Sequence, residues 1–266
     1  MRTSVAMAFL IAVTARPAAA QTDDGTTFKW SGAVSAGHFI RVHNMNGDVR
    51  VERADGGSKV ELIAERHVRR GDPKTVRFEV RMRADGDAVI CALWGPDMQC
   101  TDDGNRGSYR SGGWRGEDQI DVVIRVRVPD GVKAFARSTN GNIAVSGLTS
   151  EVDASTTNGD VNVRTSGGVV NATTTNGSVT ASLGSVSGDA PMRFTSTNGS
   201  VTVYAPPSLS ADLEMSTTNG GVSTEFPLTV SGRFMQRSVR GTLGQGGRSI
   251  VVRTTNGDIA LKRNGI

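Results

Sequence analysis

The chain has 266 residues, 37% of them hydrophobic and only 5% aromatic, with 33 glycines and a formal net charge of +4. So small a basic excess gives no reason to expect a nucleic acid as partner. Beyond the first twenty residues, no stretch approaches the roughly 20 apolar residues that a membrane-spanning helix needs.

Residues 1–20 read as an export leader. Arg2 gives the positive start, Val5 to Val13 is an apolar run, and Ala18-Ala19-Ala20 before Gln21 is a small-residue cleavage site. No Cys sits near that point, as a bacterial lipid anchor would need. Removing the leader takes Arg2 and Arg16 with it and lowers the charge to +2. The remainder is expected in the periplasm, on the cell surface or secreted. It is expected as a single β-repeat domain over 21–266, with longer strands in 21–131 and regular repeats in 132–266.

Strands are expected at Phe39 to Val42, Val49 to Val51, Val60 to Ala64, Val76 to Met82, Val89 to Leu93 and Ile120 to Val128. Arg77, Arg81 and Arg83 alternate with Val76, Phe78, Val80 and Met82, which is the polar face of a half-buried strand. Cys91 and Cys100, nine positions apart, are expected to pair in an oxidising compartment. The three histidines, His38, His43 and His67, are not spaced with them as a zinc site requires. The segment Thr101 to Asp118 concentrates Gly and Arg. Its Tyr109, Arg110, Trp114 and Arg115 make it a candidate binding loop, set against the plainer reading of an inserted linker.

Pro129-Asp130-Gly131 turns the chain into a repeat. One phrase recurs around Asn140-Gly141, Asn158-Gly159, Asn176-Gly177, Asn198-Gly199, Asn219-Gly220 and Asn256-Gly257, with an earlier copy at Asn46-Gly47. Successive Asn positions from 140 lie 18, 18, 22, 21 and 37 residues apart. Alternation is clean on both sides of each turn: Val152, Ala154 and Thr156 before it, Val161 and Val163 after it. Two all-β architectures fit. Asn-Gly is a strong hairpin signal and would give an antiparallel meander. A β-solenoid of 18–22-residue, two-strand repeats would put Asn-Gly at one corner of every coil. The solenoid is favoured because Thr and Asn recur with Gly, and stacked coils set each residue about 4.8 Å from its own copy. Phe226 to Gly247, lacking the phrase, is either a degenerate coil or an extruded loop.

Asn44 to Val51, the Cys strand Val89 to Leu93, Val126 to Gly131 and the Thr-x-Asn-Gly-x-Val repeats carry a resemblance. Together they resemble the adhesin domain family of bacterial exported proteins, a family named from its shape and of largely unknown function. The resemblance implies a repeat fold and supplies no catalytic or ligand residues.

No motif for chemistry stands against this. The histidines lie outside the repeats, and the Ser and Thr residues read as β-favouring surface. Asp48, Asp160 and Asp258 follow Asn-Gly, but other copies carry Asn142, Ser178, Ser200 and Gly221, so turn stabilisation fits better than calcium. Asp153, Asp160 and Glu214 are too scattered for a polysaccharide-active β-helix enzyme. Ser155-x-Thr157, Thr173-x-Thr175, Thr195-x-Thr197 and Ser216-x-Thr218 would stack as a hydroxyl array of the kind an ice-binding solenoid presents, but Asp153, Arg193, Glu214 and Arg253 flank it with charge and the coil lengths are uneven. The expected function is non-catalytic and cofactor-free: binding a surface glycan or envelope protein through a β face or loop. A structural scaffold of the envelope is the alternative.

Overall fold

The computed structural model describes residues 19–107, 119–186, 189–230 and 237–264. Most of the leader therefore lies outside the described residues, as do Tyr109, Arg110, Trp114 and Arg115.

The first part contributes β1 (Ala20–Asp23), β2 (Thr27–Gly32), β3 (Phe39–His43), β4 (Val49–Arg53), β5 (Val60–Arg70), β6 (Val76–Met82), β7 (Ala88–Trp94), β8 (Gln99–Thr101), β9 (Gly104–Arg106) and β10 (Gln119–Val128). The expected cleavage point thus falls at the first residue of β1. The repeats contribute pairs of strands, one on each side of an Asn-Gly. These are β11 (Lys133–Asn140) with β12 (Ile143–Leu148), β13 (Val152–Asn158) with β14 (Val161–Thr165), and β15 (Val170–Asn176) with β16 (Val179–Leu183). Next come β17 (Met192–Asn198) with β18 (Val201–Ala205), and β19 (Ala211–Asn219) with β20 (Val222–Thr224). Then follow β21 (Thr229–Val230), β22 (Ser238–Leu243), and finally β23 (Ser249–Asn256) with β24 (Ile259–Arg263).

Two 11-stranded sheets face each other. One runs β1-β2-β5-β10-β4-β12-β14-β16-β18-β24-β20, the other β21-β22-β19-β23-β17-β15-β13-β11-β3-β7-β6. Neighbouring repeats pair in parallel and in register, with Val152 against Val170 and Asn158 against Asn176. This is a β-solenoid, and the antiparallel meander is overturned. Asn-Gly joins the two sheets rather than two strands of one sheet. No described residue other than Gly has positive φ, so the turns are not the hairpin type in which Asn also goes left-handed.

Each position of the phrase has a physical job. The Ser or Thr two before Asn points inward, and its hydroxyl donates to the preceding coil's glycine carbonyl, as in Thr174 Oγ1 to Gly159 O at 2.8 Å. The Asn amides form a ladder, each Nδ2 donating to the next Oδ1 at 2.7–2.8 Å, from Asn219 through Asn256, Asn198, Asn176, Asn158 and Asn140 to Asn46. Glycine is required because coils approach backbone to backbone. At Gly177 (φ +148°) a Cβ would collide with the Gly159 carbonyl oxygen. The next residue caps the following coil's amide: Ser178 N donates to Asp160 Oδ1 at 2.8 Å, and Gly221 N to Asp258 Oδ1 at 2.8 Å. That accounts for Asp160 and Asp258 without calcium. Val or Ile then enters a narrow core, built from Val161, Val179, Val201 and Ile259 opposite Ala154, Ala172, Phe194 and Val252, all fully buried.

The coils do not stack in chain order. The last coil, β23–β24, lies between β17–β18 and β19–β20, and the first, β3–β4, lies between β7–β10 and β11–β12. Both the first Asn-Gly coil and the last are thereby held inside the stack. The 37-residue interval is the path needed to return past β19. Phe226 to Gly247 is neither a degenerate coil nor an extruded loop in its described parts. It supplies the antiparallel pair β21–β22, which covers the end of the second sheet against β19. At the other end β6 covers the second sheet, and β5, β2 and β1 the first, also antiparallel.

Candidate functional site

Pairing β7 with β3 and β10 with β4 makes β7–β10 a coil of its own, in which the Asn-Gly corner is replaced by residues 95–118. Part of this insertion, the β8–β9 hairpin, lies over the outer face of the second sheet. All of Ala88–Trp94 is consequently buried on both faces. The Cys91–Cys100 disulfide is formed, with Cα atoms 5.7 Å apart and both residues buried, and ties the hairpin to β7. The basic alternation on β6 serves the same contact. Arg77 donates to the Met98 carbonyl, Arg81 Nη1 to Cys100 O at 3.0 Å, and Arg83 Nη1 to Asp102 O at 3.1 Å. Three guanidinium groups therefore stand in for a missing strand ladder along β8.

Arg66 is likewise consumed internally. Its buried guanidinium lies 4.6 Å over Phe78 and grips both oxygens of Asp23 at 2.8 and 2.7 Å. That bond holds the Asp23 carboxyl below its usual range, against a smaller upward push from burial.

A pocket of about 240 Å³ opens where the hairpin stops and the outer face of β3 and β11 emerges, lined by Arg41, His43, Arg83, Asp102, Asp103, Phe135 and Arg137. Arg41 reaches Asp87 at 2.8 Å, and its guanidinium lies 5.2 Å over Phe135. Burial pushes the Asp87 carboxyl up, but the Phe39 amide and Arg41 outweigh it and the net direction is down. Arg137 sits 5.3 Å over Phe135 and gives its Nε to Ser155 Oγ at 3.2 Å. His43 is only 3% exposed, with Gly104 packed on the Nδ1 edge of its ring, and its Nε2 has no hydrogen-bond partner. Burial first, and then Arg137 and Arg41, push this imidazole down to about 4, so it is neutral at pH 7.

Beyond the pocket the outer face is a set of columns. Thr139, Thr157, Thr175, Thr197, Thr255 and Thr218 form an unbroken one beside the Asn ladder. The parallel Ser155, Thr173, Thr195 column does not continue to Ser216, because the inserted last coil places Arg253 between them, ion-paired to Glu214. Over those coils the hydroxyl array is therefore a single column rather than two.

The carboxylates considered for catalysis are not brought together. Asp153 is on the outer face, Asp160 at the corner, and three coils lie between Asp153 and Glu214. Among the described residues, no group of three or more His, Cys, Asp or Glu is placed to hold a metal. No helix there is long and apolar enough to cross a membrane. The candidate loop residues Tyr109, Arg110, Trp114 and Arg115 lie outside the described residues. The stems of their loop, Arg106 and Gln119, end β9 and begin β10.

His43, Arg137 and Phe135 were not picked out as a site by sequence reasoning. Alternation places all three outward, and only the hairpin makes one of them buried. A signal for the hairpin was present: Val89 to Trp94 is apolar without alternation, which requires both faces of that strand to be covered.

The Toastrack DUF4097 family profile matches residues 124–262, just over half of the chain. The chain belongs to this family. Among solved structures, a proposed cell adhesion protein from Clostridium sporogenes aligns at 11% identity and a TM-score of 0.50, covering 89% of this chain and 99% of its own. A proposed adhesin from Bacteroides fragilis aligns at 12% identity and a TM-score of 0.38, covering 89% and 96%. The first of these likenesses bears on the fold alone. No curated protein matches the chain. The Toastrack match starts within β10 and spans the regular corners, so it leaves out the hairpin, its disulfide and His43.

Proposed function

We propose that this Toastrack protein is exported, acts as one unit from residue 21 onward, and binds a glycan or envelope protein without catalysing a reaction. The contact surface is the outer face of the second sheet together with the loop beside it. The observation that carries this reading is the irregular corner. The regular corners satisfy their Asn amides and Gly carbonyls by stacking, whereas the β7–β10 corner carries a disulfide-pinned hairpin, a pocket and the stems of the Tyr109–Trp114 loop. A rigid repeat scaffold recognises partners through such an extended face and the loops it carries. Two buried cysteines joined in a disulfide suit an oxidising compartment, and the proposed adhesion role of the Clostridium sporogenes protein agrees with a place at the cell surface.

Binding to purified envelope fractions and a glycan array tests this. Tyr109→Ala with Trp114→Ala should weaken binding and leave the melting temperature nearly unchanged. Undiminished binding would move the contact to the hydroxyl columns of Ser155, Thr157, Thr173, Thr175, Thr195 and Thr197. Failure to bind any such component would favour the scaffold reading.

A further inference from the structure

A buried imidazole nitrogen without a partner is costly and calls for a reason. Here Nε2 of His43 is such an atom, and His43 lines an open pocket rather than a closed core. The same pocket holds a guanidinium, Arg137, that forms no ion pair among the described residues. Its Cζ lies 5.3 Å over the Phe135 ring, and with Nε on Ser155 neither Nη makes a hydrogen bond among the described residues, which leaves both for a planar anion. Asp103, also lining the pocket, has no ion pair or hydrogen bond among the described residues, while Asp102 faces Arg81 at 3.5 Å. The site thus offers one cation for a carboxylate and one carboxylate that accepts from hydroxyls, with the neutral His43 ring buried in its wall. At about 240 Å³ it is smaller than the roughly 300–1,000 Å³ of pockets that enclose drug-sized ligands, and it suits one sugar ring.

We infer that this pocket is a subsite for an acidic sugar, a hexuronate residue of a surface polysaccharide, with its carboxylate on Arg137 and a ring hydroxyl on Asp103, against the wall that holds His43. The inference rests on the outer face being the contact surface and adds the chemistry of the ligand. The Asp103 contact separates the site from a plain anion pocket.

The test uses the disulfide-bonded chain, with sodium glucuronate as probe and glucose and acetate as controls, read by imidazole Cε1–H nuclear magnetic resonance. Glucuronate should shift the His43 signal saturably with a Kd on the order of 1 mM, leaving His67, on the other sheet, unmoved. Glucose should not shift it, and acetate should do so only at far higher concentration. Arg137→Gln should weaken the response at least about tenfold with an unchanged melting temperature, since an exposed side chain is altered. A His43 signal that stays fixed, follows glucose equally, or responds alike in Arg137→Gln overturns the subsite. Equal potency of acetate overturns the sugar. If glucuronate shifts His43 while no polymer or envelope fraction binds, the subsite stands and the surface-binding reading falls. If Arg137→Gln protein keeps full partner binding, the reverse holds.

Discussion

The regular corners and the β7–β10 corner solve the same geometric problem in opposite ways. At Asn140, Asn158, Asn176 and Asn198 the chain crosses between sheets in two residues, and each Asn amide and each Gly carbonyl there finds a partner one coil away. At β7–β10 the crossing takes the 24 residues between Trp94 and Gln119. His43 Nε2, Trp94 Nε1 and Asn105 Oδ1 are all buried without partners around it. Repetition thus produces stability and uniformity, and its interruption produces the only strongly individual surface among the described residues of the second sheet. Substitutions in the two regions should therefore differ in kind: stability at the regular corners, recognition at the other.

The largest effect is expected for Gly177→Ala. The new Cβ meets the Gly159 carbonyl at a φ of +148°, so neither coil can close its ladder. Chemical denaturation should show a loss of at least about 3 kcal/mol. Reducing Cys91–Cys100 should come next, costing about 2–3 kcal/mol in the chain-entropy account and exposing the outer face of β7 to alkylation at Cys91. Thr174→Val should cost about 1–2 kcal/mol because the Gly159 carbonyl loses its buried donor. The adjacent outward Thr175→Val should stay within about 0.5 kcal/mol. Equal effects at the two threonines would contradict the inward–outward assignment.

A further difference appears in acid. Asp23 has its carboxyl pKa lowered by folding, so its contribution is full above the unfolded value of 3.8 and disappears as pH falls through the lower folded value. Acid unfolding curves of Asp23→Asn and the unaltered chain should therefore differ above pH 4 and converge below it.

Much of this was legible in the sequence, for local reasons. Thr-Thr-Asn-Gly-Asp-Val copies announce in-register stacking, because only a parallel stack sets Asn158 beside Asn176. Inward residues such as Val152 and Ala154 follow from alternation. The disulfide follows from pairing the chain's two cysteines, nine positions apart. The order of the coils was not legible. A coil at Asn256 carries the same alternation whether it ends the stack or enters it, and its insertion before Asn219 depends on the path of residues 226–247. The individuality of His43 was hidden for a related reason. It occupies the column of Arg137 and Ser155, outward in every copy, and is buried only by a hairpin sixty residues later in the chain. Asn-Gly itself was half understood. Glycine is needed for backbone approach, and Asn for its amide ladder rather than for a left-handed turn.

The division between a structural stack and a recognising corner is tested most directly by one binding comparison. Envelope-fraction and glycan-array binding would be measured for the unaltered chain, for Arg137→Gln, and for Thr157→Ala with Thr175→Ala. These substitutions lie on the same outer face, and all are expected to leave the melting temperature within a few degrees, as exposed positions do. The account expects Arg137→Gln to lose most of the binding and the threonine pair to keep most of it. Full binding by Arg137→Gln beside lost binding by the threonine pair would contradict it.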